Sequence, residues 1–193
     1  GVTFVPYVEA IVGPLMMLPL TQEFGWTRTQ YAFATTFMFV LGAVTGLVFG
    51  SIADRYGPRS IMMVGALGGG GTMLLLSQQD GHLWQMYLSY ALLGAFVSSG
   101  LGYTKIMGTL FARHRGKALA LFGAESTVAM ATLPLLTHAL TVNLGWRGAY
   151  VVYAVIMFAL APVLWWVIRG PGLSGPAQVA APSAVAPAEG LTP

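Results

Sequence analysis

The segment GSIADRYGPRS, which runs from Gly50 to Ser60, decides how the rest of the sequence is interpreted. It places three charged residues, Asp54, Arg55 and Arg59, close together and among glycines. On both sides of it the chain is almost continuously apolar. Charges confined to short breaks between long apolar runs are typical of the loops that join membrane-spanning helices.

The composition supports the same interpretation. Hydrophobic residues make up 56% of the chain and charged residues 8%, and the mean hydropathy is +0.72. A soluble domain has about 25% charged residues, so the composition predicts an integral membrane protein. The net charge is +3, but no basic run is interleaved with aromatic residues, which argues against a nucleic-acid partner. There is no cysteine, which excludes disulfides and thiolate metal sites in these residues.

Six apolar runs are each about as long as the 20 residues that a helix needs to cross a bilayer. They are continuous rather than alternating, which favours helices over the strands of a barrel. The sequence therefore predicts an all-α integral membrane protein with six transmembrane helices. The six runs are Val2 to Thr21, Thr29 to Ile52, Ser60 to Ser77, Leu83 to Leu110, Ala118 to Leu140 and Ala149 to Ile168.

The positive charges predict the orientation, because cytoplasmic loops carry an excess of Lys and Arg. If the break at Asp54 is cytoplasmic, its side of the membrane carries Arg55, Arg59, Arg113, Arg115, Lys117 and Arg169. The opposite side then carries Arg28 and Arg147. We therefore expect a multi-pass protein of the cell membrane, either plasma or inner, with both chain ends in the cytoplasm.

The composition changes after Arg169. Residues 170–193 are rich in Pro, Ala, Gly and Ser and have no periodicity, which predicts a flexible cytoplasmic linker or tail after a helical bundle of residues 1–169. The chain begins at Gly1, without an initiator Met or a charged leader segment. These features favour a fragment of a larger protein over a small complete one.

Small residues recur at four-residue spacing in several of the runs. In lipid, such spacing lets helix backbones approach closely. This pattern predicts contact faces that serve either static packing or the sliding of helices. The faces contain Gly42, Gly46 and Gly50 in the second run, Gly65 and Gly69 in the third, and Ser98 and Gly102 in the fourth.

The segment GSIADRYGPRS resembles the loop signature of the major facilitator superfamily, G-x-x-x-D-(R/K)-x-G-(R/K)-(R/K), in the expected place between the second and third helices. Pro58 stands where that family usually has a basic residue. RHRGKALAL, from Arg113, resembles the basic loop before the fifth helix, and LGWRGAY resembles the segment before the sixth. The signature residues present are Gly50, Asp54, Arg55, Gly57 and Arg59.

This resemblance implies the amino-terminal six-helix half of a twelve-helix transporter, built as a 3+3 repeat, with the carboxy-terminal half missing. It also implies a gating role for the loop. Asp54, paired with Arg113 or Arg115, would hold the cytoplasmic helix ends together in one state of the transport cycle. The alternative is that the loop only fixes topology through its arginines and turns the chain at Gly57.

A narrower resemblance concerns the monocarboxylate and oxalate–formate branch of that family, whose members move small organic anions. It is carried by GPLMMLPLTQEFGWTRTQYAFA, by the DRYGPR form of the loop and by GLGYTKIMGTLFARHRGKALAL. It implies secondary transport of a small organic anion, such as a monocarboxylate, by alternating access with proton coupling or anion exchange. Two departures count against multidrug export. Tyr90 stands where many proton-coupled members have Arg, and a single glycine precedes Pro134 in the fifth run.

Three charged residues lie in or near the predicted spans: Glu9, Lys105 and Glu125. A charge at mid-bilayer costs about 2.5–3.5 kcal/mol on insertion scales, so each is a candidate functional group. By analogy with the family fold, Lys105 would pair with a substrate carboxylate, and Glu9 or Glu125 would carry a coupling proton. The alternative is an internal ion pair between Lys105 and a glutamate that only neutralises buried charge.

Other classes of protein fit the sequence less well. The three histidines, His82, His114 and His138, fall at different depths and on different sides of the predicted bundle, so no metal site, cofactor site or catalytic set is expected, and the chain is not predicted to be an enzyme. No loop or charge ring like those of channel filters is present. The remaining alternatives are a non-transporting half-transporter or scaffold, and a drug or sugar exporter of the same superfamily.

Overall fold

The computed structural model describes residues 4–56, 58–98 and 115–167. Within these ranges every regular element is a helix and no strand occurs, so the predicted all-α class is confirmed. We number the helices α1 (Phe4–Phe24), α2 (Arg28–Tyr56), α3 (Pro58–Ser77), α4 (Leu83–Val97) and α5 (Arg115–Val167).

Among the described residues, three stretches are apolar and long enough to cross a membrane: Arg28–Ile52, Ser60–Ser77 and Thr127–Val163. A fourth helix, Leu83–Val97, is apolar but has 15 residues. Six crossings therefore remain a prediction, since the described parts of α1 and α4 do not meet this criterion.

Helix α5 is divided at Gly145. It contains 53 residues, which would extend about 80 Å if the helix were straight. Gly145 has φ 71° and ψ 171°, a conformation that glycine adopts at little cost because it has no Cβ. The hydroxyl oxygens of Thr137 and Tyr153 lie 2.6 Å apart, although 16 residues of straight helix would span about 24 Å. The first arm of α5 (residues 115–144) and the second arm (residues 146–167) therefore fold back on each other.

Tryptophans bracket the second arm. Trp146 begins it, and the exposed Trp165 and Trp166 lie near its other end. The distance from Trp146 to Trp165 is about 28 Å along a helix, close to the roughly 30 Å of a bilayer's hydrocarbon core. Indole rings favour the headgroup level, so Trp146 marks one membrane boundary. We call this side the Trp146 end, and the side with the α2–α3 junction the Arg55 end.

The core combines side chains from all five helices. Methionines and tyrosines fill much of it, and flexible methionine side chains suit irregular gaps between helices. The large side chains with almost no exposed surface include Met16, Leu20, Ile61, Met73, Leu76, Met86, Tyr90, Leu93, Leu133, Tyr150 and Tyr153.

The closest helix contact is between α2 and α4. A Cβ built on Gly94 would lie 2.0 Å from the backbone oxygen of Met38, and one on Gly42 would lie 3.2 Å from the backbone oxygen of Gly94. The Ser98 hydroxyl donates to the Gly42 carbonyl at 2.6 Å, and the Ser98 and Thr45 hydroxyl oxygens lie 3.2 Å apart. The backbones of the two helices therefore touch, as the spacing of Gly42 and Ser98 predicts.

The close packing expected of Gly46, Gly50, Gly65 and Gly69 stays a prediction. In α3 the tight positions are Gly68, against the ring of Phe96, and Gly70, whose would-be Cβ lies 3.1 Å from the ring of Phe158. These glycines accommodate aromatic rings from α4 and from the second arm of α5. The glycine spacing alone does not show which neighbour a face meets.

Candidate functional site

The predicted gating residues surround the α2–α3 junction. Asp54 and Arg55 occupy the last turn of α2, and Arg59 is the second residue of α3. Arg55 is exposed, and its guanidinium carbon lies 5.6 Å from the ring centroid of Tyr56. Gly57 and the side chains of Asp54 and Arg59 lie outside the described part of the structure.

The predicted partners of Asp54 are not described in the same detail. Arg115 is the first residue of α5, but its side chain lies outside the described set, and Arg113 precedes the described range. We call the predicted pairing of Asp54 with Arg113 or Arg115 the latch. It stays a prediction.

The same holds for the predicted substrate and proton residues. Glu9 belongs to α1 and Glu125 to the first arm of α5, but the side chains of both lie outside the described set. Lys105 lies wholly outside it. Their proposed roles remain predictions.

A buried tyrosine pair joins α1, α2 and α4. The Tyr31 hydroxyl donates to the backbone oxygen of Gly13 at 2.6 Å and lies 2.5 Å from the Tyr90 hydroxyl oxygen. The exposed fractions of Tyr31 and Tyr90 are 2% and 0%. Tyr90 occupies the position at which many proton-coupled members of the family that the sequence resembles have an arginine. A phenol at this position makes hydrogen bonds without a buried charge that would need a counter-ion.

A second polar cluster lies at the Trp146 end. Glu23, at the end of α1, accepts a hydrogen bond from the Trp146 indole N–H through Oε2. Its Oε1 lies 2.7 Å from Nη1 of Arg147, and Nη2 of Arg147 donates to the backbone oxygen of Gln79 at 3.0 Å. We call these four residues the Glu23 clasp. It connects the end of α1, the α3–α4 loop and the turn of α5.

Aromatic rings surround the clasp. The Arg147 guanidinium carbon lies 4.3 Å from the Trp146 ring centroid, within the range of a cation–π interaction. The Phe24 ring packs against Trp26 at 4.8 Å and against Trp146 at 5.7 Å between centroids. The Trp26 indole donates to the backbone oxygen of Gly81 at 3.3 Å. The rings thus hold the α1–α2 and α3–α4 loops against the clasp.

The electrostatics of the clasp favour an ionised carboxylate. The hydrogen bond from Trp146 lowers the pKa of Glu23 below its usual value, and Arg147 lowers that pKa further through a hydrogen bond and its charge, while partial burial opposes both. The side chains of Arg147 and Glu23 are 50% and 40% exposed, so water screens the ion pair and limits its contribution to stability.

The clasp and the tyrosine pair were not anticipated from the sequence. LGWRGAY contains Trp146 and Arg147, but the motif does not specify Glu23, which is more than 120 residues away, as their partner. The sequence singles out Tyr90 only because it lacks the arginine that is usual at that position. No group of three potential metal ligands occurs among the described residues, so neither cluster indicates metal chemistry.

The geometry is that of a helical membrane bundle with uncharged buried hydrogen bonds, and the known proteins it resembles agree. A model of the Major Facilitator Superfamily matches residues 1–191. The chain belongs to the Major Facilitator Superfamily. Its relatives in this superfamily are multi-pass membrane transporters that bind small molecules, and not enzymes. This confirms the resemblance drawn from GSIADRYGPRS and the expected location in a membrane, whereas the kind of membrane and the cytoplasmic position of the chain ends stay predictions.

Individual relatives in the superfamily differ in what their names describe. The multidrug resistance protein MdtG of Yersinia enterocolitica is 28% identical over 138 residues, covering 71% of this chain and 33% of the relative. Monocarboxylate transporter 3 of Rattus norvegicus is 28% identical over 145 residues, covering 72% of this chain and 28% of the relative. The membrane sensor protein UhpC of Salmonella typhimurium is 26% identical over 145 residues, covering 74% and 33%. The chain thus spans about a third of the length of these relatives.

Proposed function

We propose that the chain is the amino-terminal six-helix half of a secondary transporter that moves a small organic anion, such as a monocarboxylate. The observation that carries the proposal is the match to the Major Facilitator Superfamily over residues 1–191, together with the similarity to monocarboxylate transporter 3 over 72% of the chain. The segments that resemble the monocarboxylate and oxalate–formate branch support the same substrate class.

The proposed mechanism is alternating access. Two six-helix halves rock about a central site, and the described half is suited to move as a unit because the Glu23 clasp and the α2–α4 contact tie its helices together. Lys105 binds the carboxylate of the solute, and Glu9 or Glu125 carries a proton. The loop around Asp54 holds the cytoplasmic helix ends together in the state that opens outward, and residues 170–193 form the cytoplasmic linker to the second half.

Transport by the full-length protein in sealed vesicles tests this proposal. Uptake of radiolabelled lactate is expected to exceed that of empty vesicles. Stimulation by an inward proton gradient identifies symport, and stimulation by lactate loaded inside the vesicles identifies exchange. Absence of lactate, formate and oxalate uptake under all of these conditions would rule out the proposed substrate class.

Three of the relatives support other functions. MdtG and the chloramphenicol resistance protein CraA of Acinetobacter baumannii, which is 27% identical over 142 residues, favour drug export as a second candidate. UhpC is named a sensor, which favours a protein that binds a solute without moving it. Resistance of cells to chloramphenicol on expression would support the first, and lactate binding with no flux would support the second.

The latch predicts a kinetic effect for Asp54→Asn. This change removes the charge that the proposed pair with Arg113 or Arg115 requires, so the rate of lactate uptake should fall at least tenfold while the amount of protein in the membrane stays the same. Asp80→Asn is the matched control, because Asp80 is an exposed carboxylate at the Trp146 end. Equal uptake rates for the two variants would remove the latch.

The proposed substrate contact predicts a different effect for Lys105→Gln. Loss of the ammonium should raise the KM for lactate or abolish its uptake, because a carboxylate in the membrane interior needs a counter-charge. Lys117→Gln removes a lysine from the predicted cytoplasmic loop region and should leave the KM unchanged. An unaltered KM in the Lys105 variant would assign this lysine to the internal ion pair or to the membrane interface.

A further inference from the structure

His138 occupies an unusual position for a titratable residue. It lies in the first arm of α5, inside the apolar stretch Thr127–Val163, and its side chain is exposed. Leu144, where the first arm ends next to Trp146, is six residues further on, about 9 Å along the helix, so His138 lies below the headgroup level that Trp146 marks. Ionisable residues at such depth almost always face protein or a water-filled cavity. The side of the first arm that carries His138 is therefore not expected to face lipid.

A freed carbonyl lies on the same side of the helix. Pro134 has no N–H, so the backbone oxygen of Met130 lacks its usual donor four residues later. Met130, Pro134 and His138 follow one another at four-residue spacing and share a face, and Met130, like His138, is exposed. A carbonyl without a donor is costly in lipid and is tolerated where it lines water or protein. This observation is independent of the histidine and supports the same conclusion.

The described bundle does not provide polar partners for the His138 side chain. The first arm packs into the core through Leu133 and Thr137, which are buried, and His138 is turned about 100° from Thr137. Within the described ranges, no hydrogen bond or ion pair involves the His138 side chain. The titratable groups on the helices packed against α5 are Tyr7, Glu9 and Glu23 on α1 and Arg59 on α3. Glu23 is already bound by Trp146 and Arg147.

We propose that the face formed by Met130, Pro134 and His138 is one wall of a water-filled transport path, in which the His138 imidazole donates a hydrogen bond to the carboxylate of the transported anion. An imidazole N–H donates such a bond in the neutral form, and protonation adds an attractive charge. The identity of the anion rests on the proposed function, whereas the aqueous wall does not.

Thiol labelling tests the wall. These 193 residues contain no cysteine, and labelling of the unsubstituted full-length protein measures any background. His138→Cys should react at least tenfold faster with a membrane-impermeant methanethiosulfonate than Ala139→Cys, because the reactive thiolate forms in water. Ala139 is the matched control, since it is also exposed, lies at nearly the same depth and points about 100° away. Equal or absent labelling at the two positions would overturn the wall.

Protection and kinetics test the contact with the anion. Lactate should slow the labelling of His138→Cys several-fold, and His138→Gln should raise the KM for lactate about tenfold with little change in kcat. If His138 were purely structural, its replacement would change the yield of protein and would not change the KM relative to the kcat. Rapid labelling without lactate protection and with an unchanged KM would overturn the contact. If the unsubstituted protein does not transport lactate, the proposed function fails, and the ratio of labelling rates still decides the wall.

Discussion

Gly94→Ala is expected to remove most of the folded protein. The added methyl group would stand 2.0 Å from the backbone oxygen of Met38 on α2. A backbone atom cannot rotate away as a side chain can, so α2 and α4 must separate along their contact. Overpacking of a core costs about 1–3 kcal/mol where side chains can adjust, and we expect at least the upper end of that range here.

The matched control is Gly71→Ala. Gly71 lies in the interior of α3, and no atom lies within 4 Å of its would-be Cβ. Alanine favours a helix over glycine by about 1 kcal/mol in water, so this variant should be as stable as the parent or more stable. Thermal unfolding in detergent and the yield of monodisperse protein measure both effects. Equal melting temperatures for the two variants would show that the α2–α4 backbone contact is absent.

Arg147→Ala is expected to loosen the Trp146 end. It removes the ion pair with Glu23, the hydrogen bond to the Gln79 carbonyl and the stacking over Trp146. Because these groups are half exposed, we expect a total loss of about 1–2 kcal/mol. Arg28→Ala is the matched control, since it removes the same charge from the same end of the bundle and Arg28 is exposed. A melting temperature equal to that of the Arg28 variant would contradict the clasp.

The lowered pKa of Glu23 also gives the clasp a pH dependence. A carboxyl group whose pKa is depressed in the folded state adds stability above its unfolded pKa and loses it as the pH falls through the folded pKa. The parent should therefore melt at a higher temperature than Glu23→Gln at neutral pH. The difference should shrink as the pH falls below about 4.3, the pKa of a free glutamate. A difference that does not change between neutral and acidic pH would assign the effect to shape and not to charge.

The sequence predicts the class of this fold because hydropathy alone indicates that the chain is surrounded by lipid and not by water. Long apolar runs and clustered charges require helices in a membrane, whatever those helices contact. The ends of α3 agree with the predicted run to within two residues, and the turn before the last helix falls within the predicted break. The loop signature indicates the family, because Gly50, Asp54 and Gly57 stand at the fixed spacing of that signature.

The contacts between helices could not be predicted in the same way. A glycine at position 42 allows close approach, but only the tertiary arrangement shows that the approaching backbone belongs to Gly94. Similarly, Tyr31 and Tyr90 are ordinary aromatic residues in the sequence, and their hydroxyl contact depends on how α2 and α4 are aligned. Pairing across long sequence separations is set by packing, which one sequence does not encode in any local pattern.

The tryptophans of the second arm have a consequence for the kind of bilayer that suits the protein. With indoles about 28 Å apart along the helix, the arm matches a membrane of about average or slightly lower thickness without tilting. A thicker, sterol-rich bilayer would have to thin locally around this surface, at a cost of a fraction of a kcal/mol for each ångström of mismatch. Because Trp146 is held by the clasp at one end, the arm cannot shift along its axis to relieve that mismatch without breaking the contact with Glu23. The thickness of the bilayer therefore acts on the contact between Trp146 and Glu23. Glu23 is also the carboxylate that makes the clasp depend on pH.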